Sequence, residues 1–266
     1  MVGQVHIMGI LNLTEDSFYA GSRVRVADVA ARVRQMQADG ADIIDLGACS
    51  TRPGSAQPSL EEEWARLEPA LKAVMGHFSI DTYRAEIVRR AYELIGPFMV
   101  NDISAGALDP EMLATVGRLG LPYVAMHMRG TPQTMQQYTR YVDLLAEVKA
   151  YFQAFSRKAE DAGIGDWLLD PGFGFAKTLE QNYELLNRLP ELQELHRPIL
   201  VGVSRKSMIY KLLGITPEEA LSATQVVHFA ALERGATWLR VHDVPEAVQT
   251  ARIYSTMYTS SPGEEK

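Results

Sequence analysis

"WLLDPGFGFAKTLEQNYELLNRL", residues 167–189, contains in one stretch the unit from which the chain is built. The run "WLLDPG" (167–172) is continuously apolar up to a single carboxylate, Asp170. That pattern predicts a short strand buried on both faces, as in a parallel sheet. Thr178 with Gln181 three residues later has the spacing of a capping box, and Leu179, Tyr183, Leu186 and Leu189 then share one helical face. The unit reads strand, loop, helix. Its loop poses a question, because Phe173 and Phe175 stand in a glycine-rich turn that should be polar. Either both fold back into the core, or they floor a pocket with flat apolar walls and one buried acid. The stretch alone leaves both readings open.

The same unit recurs along the chain. Strand-like runs stand at 5–13, 42–47, 77–82, 97–104, 122–128, 167–172, 198–204 and 238–242, and between them the apolar period changes to that of a helix. In 60–75, Leu60, Trp64, Leu67, Leu71 and Val74 lie on one face. Helix starts are marked by Ser59 with Glu62, by Thr216 with Glu219 ahead of Pro217, and by Asp109 before Pro110. Strand–helix units in series predict an α/β fold, a (β/α)8 barrel in one domain over 1–258, with 259–266 as a frayed tail. The rival, a doubly wound open sheet, would carry a glycine fingerprint after its first strand, and "GILNLTED" (9–16) has none.

Composition bounds the function classes. The 266 residues are 47% hydrophobic and 22% charged, ordinary for a globular core. A formal charge of −7 argues against a nucleic-acid partner, which needs a basic face. Cys49 is the single cysteine, so neither an intramolecular disulfide nor a cysteine cluster for zinc can form, and the six histidines contain no H-E-x-x-H. The apolar stretch "VHIMGILNL" (5–13) is too short to span a bilayer, so no membrane partner and a cytoplasmic location are expected.

A barrel builds its active site at the carboxyl ends of its strands. Asn12, Asp81, Asn101, Asp102, His127, Asp170, "SRKS" (204–207), Arg240 and His242 all stand at such ends. One polar strand end is usually the first loop residue; so many on one rim suggest a site. Asp81, Asn101 and Asp170 suit a ring bearing amino and amide N–H groups, and Met126, Phe175 and the stem of Lys206 suit its faces. Arg52, Arg205, Lys206, Arg240 and His242 form a second, basic subset, drawn mostly from the strand ends where barrels bind phosphate. Asn12 is a neutral oxygen ligand of the kind Mg²⁺ accepts beside phosphate oxygens.

The segments "MGILNLTEDSF" (8–18), "ADIIDLGACSTRPGS" (41–55), "SIDT" (79–82), "NDIS" (101–104), "MHMRGTPQTMQ" (126–136), "LDPGFGFAKT" (169–178), "VGVSRKS" (201–207) and "RVHDV" (240–244) together resemble the dihydropteroate synthases, enzymes of folate biosynthesis and the target of sulfonamides. The resemblance spans almost the whole chain in family order. It implies a transferase that joins 6-hydroxymethyl-7,8-dihydropterin pyrophosphate to para-aminobenzoate by an ionising displacement assisted by Mg²⁺. It further implies that Asp81, Asn101, Asp170 and Lys206 hold the pterin, with Met126, Phe175 and Gly202 lining its slot. Asn12, Arg240 and His242 would hold pyrophosphate, Asn12 with the metal, while Thr51, Arg52, Pro53 and Ser207 would help form the aminobenzoate site. Lys206, Arg240, Asp81 and Asp170 would carry the catalysis, in a homodimer.

Two positions depart from the family pattern: Ala20 stands where an aspartate is common, and Cys49 where an acid usually precedes "STRPG". They keep open a non-catalytic pterin-binding homologue. A pterin-dependent methyltransferase is a further alternative, but it has no need of "SRKS" with "RVH" or of "STRPG". His127 reads equally as a packed core histidine, and Asp102 as a turn cap.

Overall fold

The computed structural model describes residues 4–13, 22–49 and 57–259, with the side chains of 22–27 and 259 left aside. Its strands are β1 (His6–Asn12), β2 (Ile43–Gly47), β3 (Phe78–Asp81), β4 (Met99–Asp102), β5 (Tyr123–Met126), β6 (Trp167–Asp170), β7 (Leu200–Val201) and β8 (Trp238–Val241). All pair in parallel in the order β6-β5-β4-β3-β2-β1-β8-β7. The ends of that row meet where Leu169 bridges Ile199 and the Leu169 N–H donates to the Pro198 carbonyl at 3.0 Å. The sheet is therefore a barrel. Around it lie α1 (Ser22–Ala38), α2 (Leu60–Ala73), α3 (Ala85–Ile95), α4 (Met112–Leu119), α5 (Leu144–Asp161), α6 (Leu179–Asn187), α7 (Ser207–Leu213), α8 (Leu221–Glu233) and α9 (Val244–Thr259).

The helices seat as their apolar faces require. On α2, Leu67 and Leu71 are fully buried, and Leu60, Trp64 and Val74 flank them against the same core. Each such leucine contributes roughly 1.5–3 kcal/mol of burial. The capping boxes at Ser59 and Thr178 form in full. Two expectations need adjustment. The helix expected at Pro110 starts at Met112, because Asp109 closes a turn onto the Glu111 N–H and reaches across to the Ala85 N–H, capping α3 instead. The seventh strand, expected over 198–204, is paired only at 200–201 with the bridge at Ile199, since Pro198 has no N–H to donate and the chain bends into a turn after Val203.

The barrel interior is layered, and the layers place the site. Met8, Ile43, Met99, Val124, Leu168 and Leu200, with Trp238, form an apolar plug. Side chains on a strand alternate faces, so the position two residues further on points inward again. From Ile43, Met99, Val124, Leu168, Leu200 and Trp238 that step leads to Asp45, Asn101, Met126, Asp170, Gly202 and Arg240. On β3, Asp81 lies in register with Gly47 and Asn101 and completes the ring. A polar layer thus sits on an apolar one at the carboxyl end of the barrel.

Candidate active site

Arg240 is the hub of the polar layer. Its Nε donates to Asp45 Oδ2 at 2.7 Å, and its Nη2 lies 2.6 Å from the same oxygen and 3.0 Å from Asp81 Oδ2. The Asn101 amide nitrogen donates to Asp45 Oδ2 at 3.0 Å, which fixes the amide's orientation and leaves its oxygen as an acceptor. Burial pushes the Asp81 carboxyl up to about 7, against the pull of Arg240 and with the neighbouring Asp45 adding to the rise. Asp45 is fully buried, and its Oδ1 has no hydrogen-bond partner among the described residues. Its place in the site escapes a reading of strand ends because it stands two residues before the end of β2. The signal that finds it is the period of two, an acid on the inward face of an otherwise apolar strand.

Across the ring, Asp170 Oδ1 accepts from the Gly172 N–H at 2.8 Å. Its carboxyl is raised by burial and held back chiefly by the Lys206 charge. Lys206 donates to the Phe173 carbonyl at 2.6 Å and sits 4.8 Å from the centre of the Phe175 ring. Burial brings its ammonium down to about 8. Gly202 opens the space between these groups. A Cβ there would lie 3.8 Å from Lys206 Nζ, 3.8 Å from Arg240 Cβ and 4.0 Å from Asp170 Oδ2. Met126 and Phe175 pack together with Ile103, Met128 and Met135 in an apolar cluster beside it. Phe173 is fully buried in the main core, whereas Phe175 is buried in the smaller cluster with Met126.

The rim residues divide by the partners they keep. His242 Nδ1 lies 3.0 Å from Ser204 Oγ, and burial with the nearby Arg240 charge brings the imidazole down to about 4. Arg205, expected in the basic subset, is instead committed to Asp243, with Nε and Nη2 each at 2.8 Å from one carboxylate oxygen, and to the carbonyls of Pro217 and Glu218. Its φ of 53° lies in the left-handed region. Ser207 is the first residue of α7, next to Lys206. Asp102 caps a turn, taking the N–H groups of Ser104 and Gly106 and the Tyr123 hydroxyl at 2.6 Å. His127 is a packed histidine, held down to about 2 by burial and set edge-on to Tyr151.

Thr51, Arg52, Pro53 and Ala20 lie outside the described residues. Cys49 is described and buried; burial and the adjacent Glu63 push its thiol far above the usual range. Glu63 is itself fully buried, held by the Thr82 hydroxyl at 2.7 Å and by Arg84. A thiol that stays protonated spares Glu63 the second carboxylate that an acid at position 49 would bring. Among the described residues no group of three His, Cys, Asp or Glu side chains could hold a metal. Gly47 nevertheless leaves an oxygen-lined cradle, since a Cβ there would meet Asp81 Oδ2 at 3.5 Å and Asn12 Oδ1 at 3.7 Å. That donor set fits a hard cation which keeps several waters and takes its remaining ligands from phosphate.

Residues 8–242 match the family model described as pterin binding enzyme. The dihydropteroate synthase of Escherichia coli (strain K12) is 43% identical over 255 residues, covering 93% of this chain and 90% of that one. The chain belongs to the dihydropteroate synthase family. Family members are transferases, and solved structures agree in fold. Yersinia pestis dihydropteroate synthase, determined with a sulfonamide drug complex, superposes with a TM-score of 0.90 at 36% identity, covering 97% of this chain and 95% of the other. The Thermus thermophilus dihydropteroate synthase in complex with 4-aminobenzoate gives 0.86 at 40% identity, covering 97% and 96%. The polar ring lies wholly inside the matched segment.

Proposed function

We propose that the chain condenses 6-hydroxymethyl-7,8-dihydropterin pyrophosphate with para-aminobenzoate, forming 7,8-dihydropteroate and pyrophosphate. The observation that carries this reading is the ring of Asp81, Asn101, Asp170, Lys206 and Arg240 around the space above Gly202, walled by Met126 and Phe175. It suits a flat heterocycle. Asp170 has one oxygen left after binding Gly172, and Asn101 keeps its amide oxygen, so both accept pterin N–H groups. The Lys206 ammonium, which lies over the Phe175 ring, donates to a ring acceptor.

The reaction is an ionising displacement. The bond from the pterin methylene carbon to the pyrophosphate oxygen breaks with its electron pair leaving on pyrophosphate. The aminobenzoate nitrogen then attacks that carbon and loses a proton. Asp81 and Asp170 favour the positive charge that develops on the pterin. His242, neutral at pH 7, donates to the leaving group together with those N–H groups of Arg240 not engaged by Asp45 and Asp81. Asn12 would hold Mg²⁺ at the cradle beside Gly47, where the ion supplies charge stabilisation to pyrophosphate. In this reading Thr51, Arg52, Pro53 and Ser207 would supply the aminobenzoate side.

A homodimer belongs to the same reading. Val226 on α8 and Ile253 and Met257 on α9 are 70%, 58% and 57% exposed, an apolar surface that a second copy would cover. The deciding experiment mixes purified protein with the pterin pyrophosphate, para-aminobenzoate and Mg²⁺ and measures dihydropteroate by mass spectrometry. Pterin binding with no product would instead support the non-catalytic homologue.

A further inference from the structure

The proposed reaction leaves one buried cation, Lys177, without a part. Its side chain is almost inaccessible, and its Nζ lies 2.9 Å from the Gly172 carbonyl, 3.1 Å from the Phe175 carbonyl and 3.1 Å from His127 Nδ1. An ammonium has three N–H bonds, and here each finds one acceptor. Neutral His127 offers Nδ1 as a lone pair, its protonation suppressed by burial and by the charges of Lys177 and Arg129.

The loop that Lys177 closes is tightly wound. Gly172, Gly174 and Ala176 have φ of 71°, 83° and 49°, three left-handed residues within five. Alanine in that region costs about 1–2 kcal/mol, so something must hold the conformation. Gly172 cannot be relaxed by a larger residue either, since a Cβ there would fall 2.0 Å from the His127 carbonyl oxygen. Lys206 takes the Phe173 carbonyl from the ligand side, while Lys177 takes those of Gly172 and Phe175 from the buried side. Asp170 feels both lysines: the charges of Lys206, Arg240 and Lys177 and the Gly172 N–H all favour its ionised form against burial. Facing Lys177 itself are Asp170, Lys206, Arg129 and the neutral ring of His127.

We propose that Lys177 is a positioning residue of the pterin site, pinning the loop 172–176 that carries Phe175 and sustaining Asp170 as a carboxylate from the side opposite the ligand. This rests on the pterin reading above. Burial, which pulls Lys177 down to about 7, makes the support conditional on pH, because a neutral amine has one donor fewer and no charge.

The test measures affinity for 6-hydroxymethylpterin by calorimetry between pH 5 and 8 in the unmodified full chain, in Lys177→Met and in Lys177→Arg. Lys177→Met should weaken binding at pH 6, where the ammonium is still charged, by about tenfold or more, roughly 1.4 kcal/mol. Its acid limb should also move up by at least about half a pH unit, because Asp170 loses a cation and becomes easier to protonate. Lys177→Arg keeps the charge and should keep the acid limb of the unmodified protein even where its bulkier head lowers affinity. Weaker binding with an unmoved limb in Lys177→Met, or unchanged affinity, overturns the proposal. Should Lys177→Met fail to fold, Lys177→Gln, which retains donors for the carbonyls without the charge, carries the same two readouts. An unmodified protein that binds no pterin refutes the function and this inference together; one that binds normally beside an unchanged variant refutes the inference alone.

Discussion

Lys206→Met should make the free protein more stable while destroying its site. A lysine held at about 8 instead of its ordinary 10.5 carries unfavourable charge burial at neutral pH. At about 1.4 kcal/mol per pH unit the cost is roughly 3 kcal/mol, an upper figure because the side chain is only half-buried. Methionine matches the stem and removes the charge. It also loses the 2.6 Å bond to the Phe173 carbonyl, worth about 1 kcal/mol, and the cation–π contact with Phe175, worth about 0.5–1. The net expectation is a gain of about 1–2 kcal/mol, or roughly 2–8 °C in melting temperature for a domain of this size. The sign with pH follows. The folded state binds the Lys206 proton more weakly than the unfolded state, so the penalty is complete below about 8 and fades as pH rises towards 10.5. The stability gap between variant and parent should therefore be full at pH 7 and shrink above pH 8. Thermal unfolding of both proteins without ligand, at pH 7 and pH 9.5, reads this directly. Pterin affinity should fall by about 100-fold, roughly 2.7 kcal/mol for a charged hydrogen bond and a ring face lost together. A variant less stable than its parent at pH 7, or one that binds pterin within about threefold, would refute the reasoning.

Gly202→Val should fold normally yet bind pterin at least about tenfold more weakly, since its side chain would enter the space bounded by Arg240, Lys206 and Asp170; calorimetry with a melting curve separates the two effects. Asp170→Asn should leave the melting temperature nearly unchanged and reduce pterin affinity by about 1–3 kcal/mol, and near-normal binding would remove Asp170 from the site. Tyr123→Phe makes the opposite split. Loss of the 2.6 Å bond to buried Asp102 should cost about 1–3 kcal/mol of stability in a denaturant titration, with pterin affinity unchanged.

Much of this was legible in the residues. The barrel follows from short continuous apolar runs alternating with helical faces, because a parallel strand buried on both sides has no polar alternation to show and its crossover must be amphipathic. Asp81, Asn101, Asp170, Lys206 and Arg240 stand at strand ends, where this architecture gathers chemistry whatever its detailed packing. Linear order does not reveal which charge answers which. Arg205 and Lys206 are neighbours in the chain, yet one pairs with Asp243 and the other with the Phe173 carbonyl. Asp45 and Arg240 are 195 residues apart and share one hydrogen bond at 2.7 Å. Lys177 follows two phenylalanines in a loop and ends with every proton spent on backbone and His127. Periodicity and strand-end chemistry are local properties, so residue order alone sets the architecture and the kind of groups on the rim. Partnership, burial and the resulting shifts in protonation depend on distances between residues far apart in the chain, and only the closed barrel sets those.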